Sequence, residues 1–234
     1  MAELTFRDLC IDASRPDVVG PFWAALLGQE PVPQEGGDFR LDGVPKERTI
    51  WVNAVPEPST AKSRVHLDVR LAADDTAVPG ATVVRGKDDE ISWRVLADPD
   101  GLVFCAFGPH PRYPDAPEGP FELVVDAVDP LALATWWAAR TGATVKHQDG
   151  KPWVWLEGAA GFPFPYWVFN PVPEPKTVKN RMHWDVTLDG ASLTDLVEQG
   201  ASVVRAEDDE IGWTVLADPE GNEFCVFSRP RRAG

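Results

Sequence analysis

The chain repeats itself. Residues 83–107 (VVRGKDDEISWRVLADPDGLVFCAF) return as residues 203–227 (VVRAEDDEIGWTVLADPEGNEFCVF), 120 positions later. Upstream, VPEPSTAKSRVHLDV (55–69) matches VPEPKTVKNRMHWDV (172–186), and IDASRPDVVGPFWAALLG (11–28) matches VDAVDPLALATWWAARTG (125–142). The matches are collinear and their spacing drifts only from 114 through 117 to 120, so short loop insertions separate two copies of one unit. Whatever forms once must form twice, and 234 residues leave room for two domains of ordinary size. Between the copies, proline at 109, 111, 114, 117 and 120 cannot donate to a strand ladder. The expected organisation is a domain at 1–108, a Pro-rich linker at 109–120 and a second domain at 121–234.

Charge narrows the partners. A net charge of −15 and a pI near 4.6 repel phosphate backbones and anionic bilayers, so neither nucleic acid nor a membrane is expected as a partner. The basic tail Arg229–Pro230–Arg231–Arg232 is short. No stretch approaches the ~20 apolar residues of a membrane helix. The opening MAELTFRDLC has no basic region followed by an apolar run, which leads to a cytoplasmic expectation. Cys10, Cys105 and Cys225 form no CxxC pair, and an odd count in that setting argues against a disulfide framework.

Each copy reads as the same series of elements. Leu4–Ala13 and Phe121–Ala127 alternate apolar with polar residues, as a first strand does. A helix follows, stopping at Gly28 or Gly142; Pro21 is expected to delay or kink the first one. Three short strands lead to the VPEP turn, and a fifth strand starts at Arg64 or Arg181. A short helix, a strand at 81–85 or 201–205, and a terminal hairpin turning at Ala-Asp-Pro-Asp/Glu-Gly complete the unit. The order is βαβββ twice per copy, an α+β class.

That order, with RxHxD on the fifth strand and DPxGxxFCxF at the end, resembles the vicinal-oxygen-chelate superfamily, the glyoxalase, bleomycin-resistance and dioxygenase group. The resemblance implies tandem domains, each with two βαβββ modules forming a curved mixed sheet around a cleft.

Period-two alternation then points to the cleft wall. Val65, Leu67 and Val69, like Met182, Trp184 and Val186, form an apolar face; Arg64, His66 and Asp68, like Arg181, His183 and Asp185, form a polar one. The polar set reads either as a cleft wall or as a solvated, self-paired face. Trp93 and Trp213 read as ligand-stacking rings or as core anchors, and the runs 88–90 and 208–210 as solvated charge or as a rim selecting cations. Metal-dependent members of the superfamily take His or Glu from the first, fourth, fifth and eighth strands. The resemblance places those positions here on Asp8, Asn53, His66 and Cys105, and on Glu122, Asn170, His183 and Cys225. Acid, His and Cys would be the ligands if a divalent metal bound. Thiol in place of carboxylate turns preference from the hard ions used in ene-diolate chemistry, so no cofactor is expected.

The leading reading is a metal-independent binder of the bleomycin-resistance type, taking a planar or cationic metabolite or antibiotic. The alternative is an isomerase, epimerase or lyase with His66 or His183 as general base, and behind it a metal-dependent glyoxalase or dioxygenase. A pure interaction module leaves the duplicated RxHxD face unexplained. Trp153 and Trp155 share a strand face with Glu157, which suggests the stronger ligand site in the second copy. The chain is expected to be a monomer that contains an internal pseudo-dimer.

Overall fold

The computed structural model describes residues 2–109 and 118–228, so most of the expected linker and the basic tail lie outside the described residues. Four modules follow one another. The first is β1 (Leu4–Ala13), α1 (Pro16–Leu27), β2 (Glu30–Pro33), β3 (Phe39–Asp42) and β4 (Ile50–Ala54). The second is β5 (Val65–Arg70), β6 (Thr82–Arg85), β7 (Arg94–Ala97) and β8 (Val103–Phe107). The third is β9 (Gly119–Ala127), α2 (Pro130–Thr141), β10 (Thr144–His147), β11 (Val154–Glu157) and β12 (Tyr166–Pro171). The fourth is β13 (Met182–Leu188), α3 (Leu193–Glu198), β14 (Ser202–Arg205), β15 (Thr214–Ala217) and β16 (Glu223–Phe227).

Local chemistry sets the helix bounds. Asp129 caps α2 by accepting from the Ala132 N–H at 3.0 Å, with Pro130 at the first helical position. Gly28 and Gly142 close α1 and α2 in the left-handed region, at φ 66° and 71°, where an L side chain would be strained. Pro21 does not delay α1, which starts at Pro16; its ring lies on the exposed side, where the carbonyl it leaves unpaired meets water. The short helix expected between β5 and β6 does not form. Pro79 and Gly80 interrupt that segment, whereas Ser192 and Asp195 build a reciprocal capping box for α3.

The modules form two eight-stranded mixed sheets, and the sheets divide the chain differently from the repeats. One sheet runs β10-β11-β12-β9-β5-β8-β7-β6, entirely from residues 65–171; the other runs β14-β15-β16-β13-β1-β4-β3-β2, from the two ends of the chain. The first is called the inner sheet below, the second the outer sheet. Each therefore takes one module from each sequence repeat, and the Pro-rich segment joins β8 to β9 within the inner sheet. The central seams are antiparallel: β1 against β13, with Cys10 opposite His183, and β5 against β9, with His66 opposite Val124.

One apolar core serves both sheets. Val65, Leu67 and Val69 of β5 and Met182, Trp184 and Val186 of β13 are fully buried, as the alternation required. Trp23 on α1 meets Phe104 on β8, with ring centroids 5.0 Å apart, and Trp137 on α2 meets Phe224 on β16 at 4.9 Å. Each helix thus ties its own module to the next one in the chain, across the two sheets. Full burial of such side chains contributes about 1.5–3 kcal/mol each. Where the sheets meet, Asn180 Oδ1 accepts from the Arg64 N–H at 2.8 Å, and Ser63 Oγ accepts from the Arg181 N–H at 3.2 Å. These two contacts relate the repeats by an approximate two-fold.

Candidate functional site

The polar faces of β5 and β13 are buried. His66, Asp68, His183 and Asp185 expose less than a tenth of their surface, so they are not a solvated face. Strand register assembles two matched constellations. On the inner sheet, Asp68 stands opposite both Glu122 and Cys105, beside His66. On the outer sheet, Asp185 stands opposite both Asp8 and Cys225, and His183 opposite Cys10.

The structure therefore exchanges the first-strand acids between the expected sets. Asp8 shares a sheet with His183 and Cys225, and Glu122 with His66 and Cys105, because each sheet pairs modules from opposite repeats. Single donor atoms of His66, Asp68 and Cys105 lie within 4.8 Å of one another, as do those of Cys10, His183 and Asp185. Asn53 and Asn170 fall one row away. Asn53 gives its Nδ2 to Asp12 at 3.4 Å, and Asn170 stands opposite Asp126.

Burial sets the protonation states. It pushes the His66 imidazole down to about 4, against the pull of Asp126 and with the help of Lys62. His183 is lowered for the same reason, despite Asp12. Burial raises Asp68, and a hydrogen bond and like charge from Glu122 raise it further; Asp185 is pushed up to about 7 by burial, although the Cys10 and Cys225 thiols donate to it. Burial, then the neighbouring aspartate, holds Cys105 and Cys225 well above the usual thiol range, and Cys10 as well. At neutral pH the imidazoles are uncharged and the thiols protonated. His66 Nε2 lies 3.3 Å from Asp68 Oδ1, yet Nδ1 of both His66 and His183 is buried with no hydrogen-bond partner among the described residues.

Residues that the sequence reading passed over close one end of each constellation. Lys62 Nζ bonds Asp126 at 2.6 Å, and Lys179 bonds Asp12 in the same way. Their recurrence at matched positions of the repeat was the signal available to find them. For Asp12, burial acts upward, but His183 and Lys179 together hold its carboxyl below the usual range. Beside Lys62 and Asp126 lies a cavity of 480 Å³, also lined by Arg64, Glu174 and Lys176. Arg64 and Asp126 stand two residues along their strands from His66 and Val124. Arg181 behaves like its counterpart Arg64: its Nη1 donates to Glu57 O at 2.9 Å as Arg64 Nη2 donates to Glu174 O, and its Nη2 also lies 3.5 Å from Asp100.

The aromatic residues divide. Trp93 and Trp213 are half-buried, Trp93 stacked on Phe107 at 5.1 Å and Trp213 tilted against Phe227 at 5.4 Å, so neither is a fully buried core anchor. Trp155, on β11, shares the inner sheet with His66, and Trp153 lies just before that strand, so the expected second-copy pair stands on the sheet that carries the first copy's histidine. Trp155 Nε1 donates to Glu157 at 3.0 Å, and Lys151 Nζ stands 5.2 Å from the Trp153 ring. The acidic runs are exposed turns. Asp88 and Glu90 pair with Arg85, and Asp208 and Glu210 with Arg205, so much of each run's charge is spent within its own turn.

Comparison with known proteins agrees with this geometry. The sequence profile described as a glyoxalase-like domain matches residues 8–107 and again residues 122–227. No curated protein sequence matches the chain. Among solved structures, glyoxalase I from Zea mays is similar with a TM-score of 0.65 at 12% identity, covering 95% of this chain and 92% of that one. The cppA protein from Streptococcus pneumoniae TIGR4 is similar at 0.50 and 9% identity, covering 96% of this chain and 100% of that one. At such identities the likeness is one of fold.

Proposed function

The chain belongs to the glyoxalase-like domain family, within the vicinal-oxygen-chelate superfamily, and from that premise we propose that it binds small planar molecules in its two buried polar clefts without a metal, as a binder of the bleomycin-resistance type. The observation that carries this reading is the unpartnered Nδ1 of His66; the matching Nδ1 of His183 also lacks a hydrogen bond but lies 3.8 Å from Asp12 Oδ2. A buried acceptor with no donor costs on the order of 1–3 kcal/mol, and a ligand hydroxyl or amide N–H removes that cost. A 480 Å³ cavity, in the usual size range of small-molecule sites, opens two residues along the strand from His66, lined by Lys62, Arg64 and Asp126 and not by His66 itself.

Two alternatives rank lower for physical reasons. A general base works best with a pKa near the working pH, and an imidazole held near 4 is a poor proton acceptor at pH 7. The donor sets also do not fit the hard ions that a glyoxalase or dioxygenase chemistry calls for. Each contains a cysteine, Cys105 or Cys225, where the resemblance implies a carboxylate, and on the inner sheet Asp68 and Glu122 hydrogen-bond each other. The thiol and carboxyl groups bond one another, while Asp68 Oδ1 and Nδ1 of both imidazoles have no hydrogen-bond partner among the described residues, and no step is derived through a metal.

Elemental analysis of protein purified without chelator tests the metal-free reading, with well under stoichiometric metal expected. Near-stoichiometric zinc, nickel, iron or manganese overturns it. Screening aromatic alcohols and amides by tryptophan fluorescence tests the clefts, with His66→Phe and His183→Phe expected to abolish the response together. A response that survives in the double variant places the binding site elsewhere.

A further inference from the structure

We infer that the two clefts select ligands of different length, the inner-sheet cleft taking a molecule one ring longer than the outer-sheet cleft. This rests on the binding reading above. The polar anchor is common to both: histidine, aspartate and cysteine stand at matched positions. What differs is the strand that carries the indole facing the anchor.

On the outer sheet the row through His183 runs to Cys10 on β1, then Trp51 on β4, then Arg40 on β3. On the inner sheet the row through His66 runs to Val124 on β9, then Val168 on β12, then Trp155 on β11. These side chains alternate with the core-facing ones, and Cys10 and Val124 are themselves buried, at 4% and 5% exposure. Their strand neighbours Leu41, Val52, Val125, Leu156 and Phe169 are buried beneath the sheets, Leu156 at 2% exposure and the rest at 0–1%. Neighbouring strands lie about 4.8 Å apart, so the indole stands about 10 Å from the histidine strand on the outer sheet and about 14 Å on the inner one.

Val168 is the residue that makes the difference, since the matched position of the other repeat holds Trp51. A ligand anchored on His66 lies over a floor of Val124 and Val168 before its far ring reaches Trp155. A ligand anchored on His183 meets Trp51 one strand earlier, with Arg40 and its ion-paired Asp42 behind that ring. The short cleft accepts one ring between anchor and indole, and a second ring collides with Trp51. The long cleft lets a two-ring molecule stack at its far end, whereas a one-ring molecule leaves Trp155 without a partner.

The probes are 4-methylphenol and 4-phenylphenol, whose hydroxyl can donate to the unpartnered imidazole nitrogen, titrated calorimetrically into the full chain. One equivalent of 4-phenylphenol is expected to bind. Val168→Trp should weaken it about tenfold or more, and Trp155→Ala should weaken it more than it weakens 4-methylphenol. Trp51→Val should open a second equivalent for 4-phenylphenol. Val168→Phe repeats the block with a smaller ring, and a circular dichroism melt certifies that each variant is folded. Two equivalents of 4-phenylphenol on the unaltered chain, or full affinity in folded Val168→Trp and Val168→Phe, overturn the length rule and leave the binding reading standing. Failure of both phenols to bind overturns the two together.

Discussion

Asp185 sits where the outer sheet's polar groups converge, accepting from two thiols while Cys10, His183 and Cys225 surround it. Its native carboxyl keeps a proton up to about pH 7, whereas an unfolded aspartate releases it near 3.8. Between those values the folded state binds more protons, so this residue lowers stability as pH rises, by at most ~1.4 kcal/mol per pH unit. His66 acts in the opposite sense. Its unfolded imidazole takes a proton near 6.5 and its native one only near 4, so stability falls as pH drops through that window. The two effects overlap and mask each other in the unaltered protein. Asp185→Asn isolates one of them: its urea midpoint, relative to the parent chain, should rise steadily between about pH 4 and pH 7. A variant that keeps the parent's pH profile refutes the shifted carboxyl. His66, Asp68, His183 and Asp185 were legible in the sequence because strand alternation fixes which side a residue faces. Cys10 was not, because it lies outside the recurring motif and its counterpart is Val124. Nor was the fate of Arg181, whose guanidinium is captured by partners more than 80 positions away.

The terminal hairpin of each repeat is held by one aspartate. Asp98 accepts from the Asp100 and Leu102 N–H groups and from Trp23 Nε1, each at 2.9 Å. Asp218 repeats this with Glu220, Asn222 and Trp137, which fastens the turn to the helix under it. Asp98→Ala strands three donors, one on a fully buried indole, and should cost on the order of 2–4 kcal/mol. For a chain of this size that is roughly a 5–15 °C fall in Tm. Asp88 also accepts two backbone N–H groups, but its turn is exposed and water replaces it, so Asp88→Ala should change Tm far less. Equal losses from the two variants would sink this account of the hairpin. Elements of this kind were readable from sequence wherever local chemistry decides them: the bounds of β1, the glycine stops of α1 and α2, and the Asp-Pro turns. The helix expected between β5 and β6 does not form, although its counterpart α3 does. The first copy lacks the Ser192–Asp195 box and has Pro79–Gly80 in that stretch.

How the four modules pair is a property of the whole molecule, and the repeat does not encode it. β1 could satisfy its apolar face against β5 of its own repeat or β13 of the other, since both carry the same alternation; the choice belongs to contacts between segments some 175 residues apart. In the folded chain β1 lies against β13, and β5 against β9, so each repeat supplies half of two different sheets. A repeat cut out as residues 1–108 would leave β1 and β5, strands from the middle of their sheets, with an open edge each. Leu9, Ile11, Leu67 and Val69, all at most 1% exposed, would lose the strands beside them. We propose that the full 25.7 kDa chain is a monomer whose internal pseudo-dimer supplies those partners at high effective concentration. Residues 1–108 alone should then be either unfolded or a homodimer in which β1 of one copy pairs with β5 of the other. Light scattering coupled to size exclusion, with denaturation followed at several protein concentrations, separates these cases. The homodimer's midpoint rises with concentration while the full chain's does not. A monomeric 1–108 that unfolds cooperatively and independently of concentration would mean that β1 and β5 can close within one repeat, and that the exchange is not what makes the fold stable.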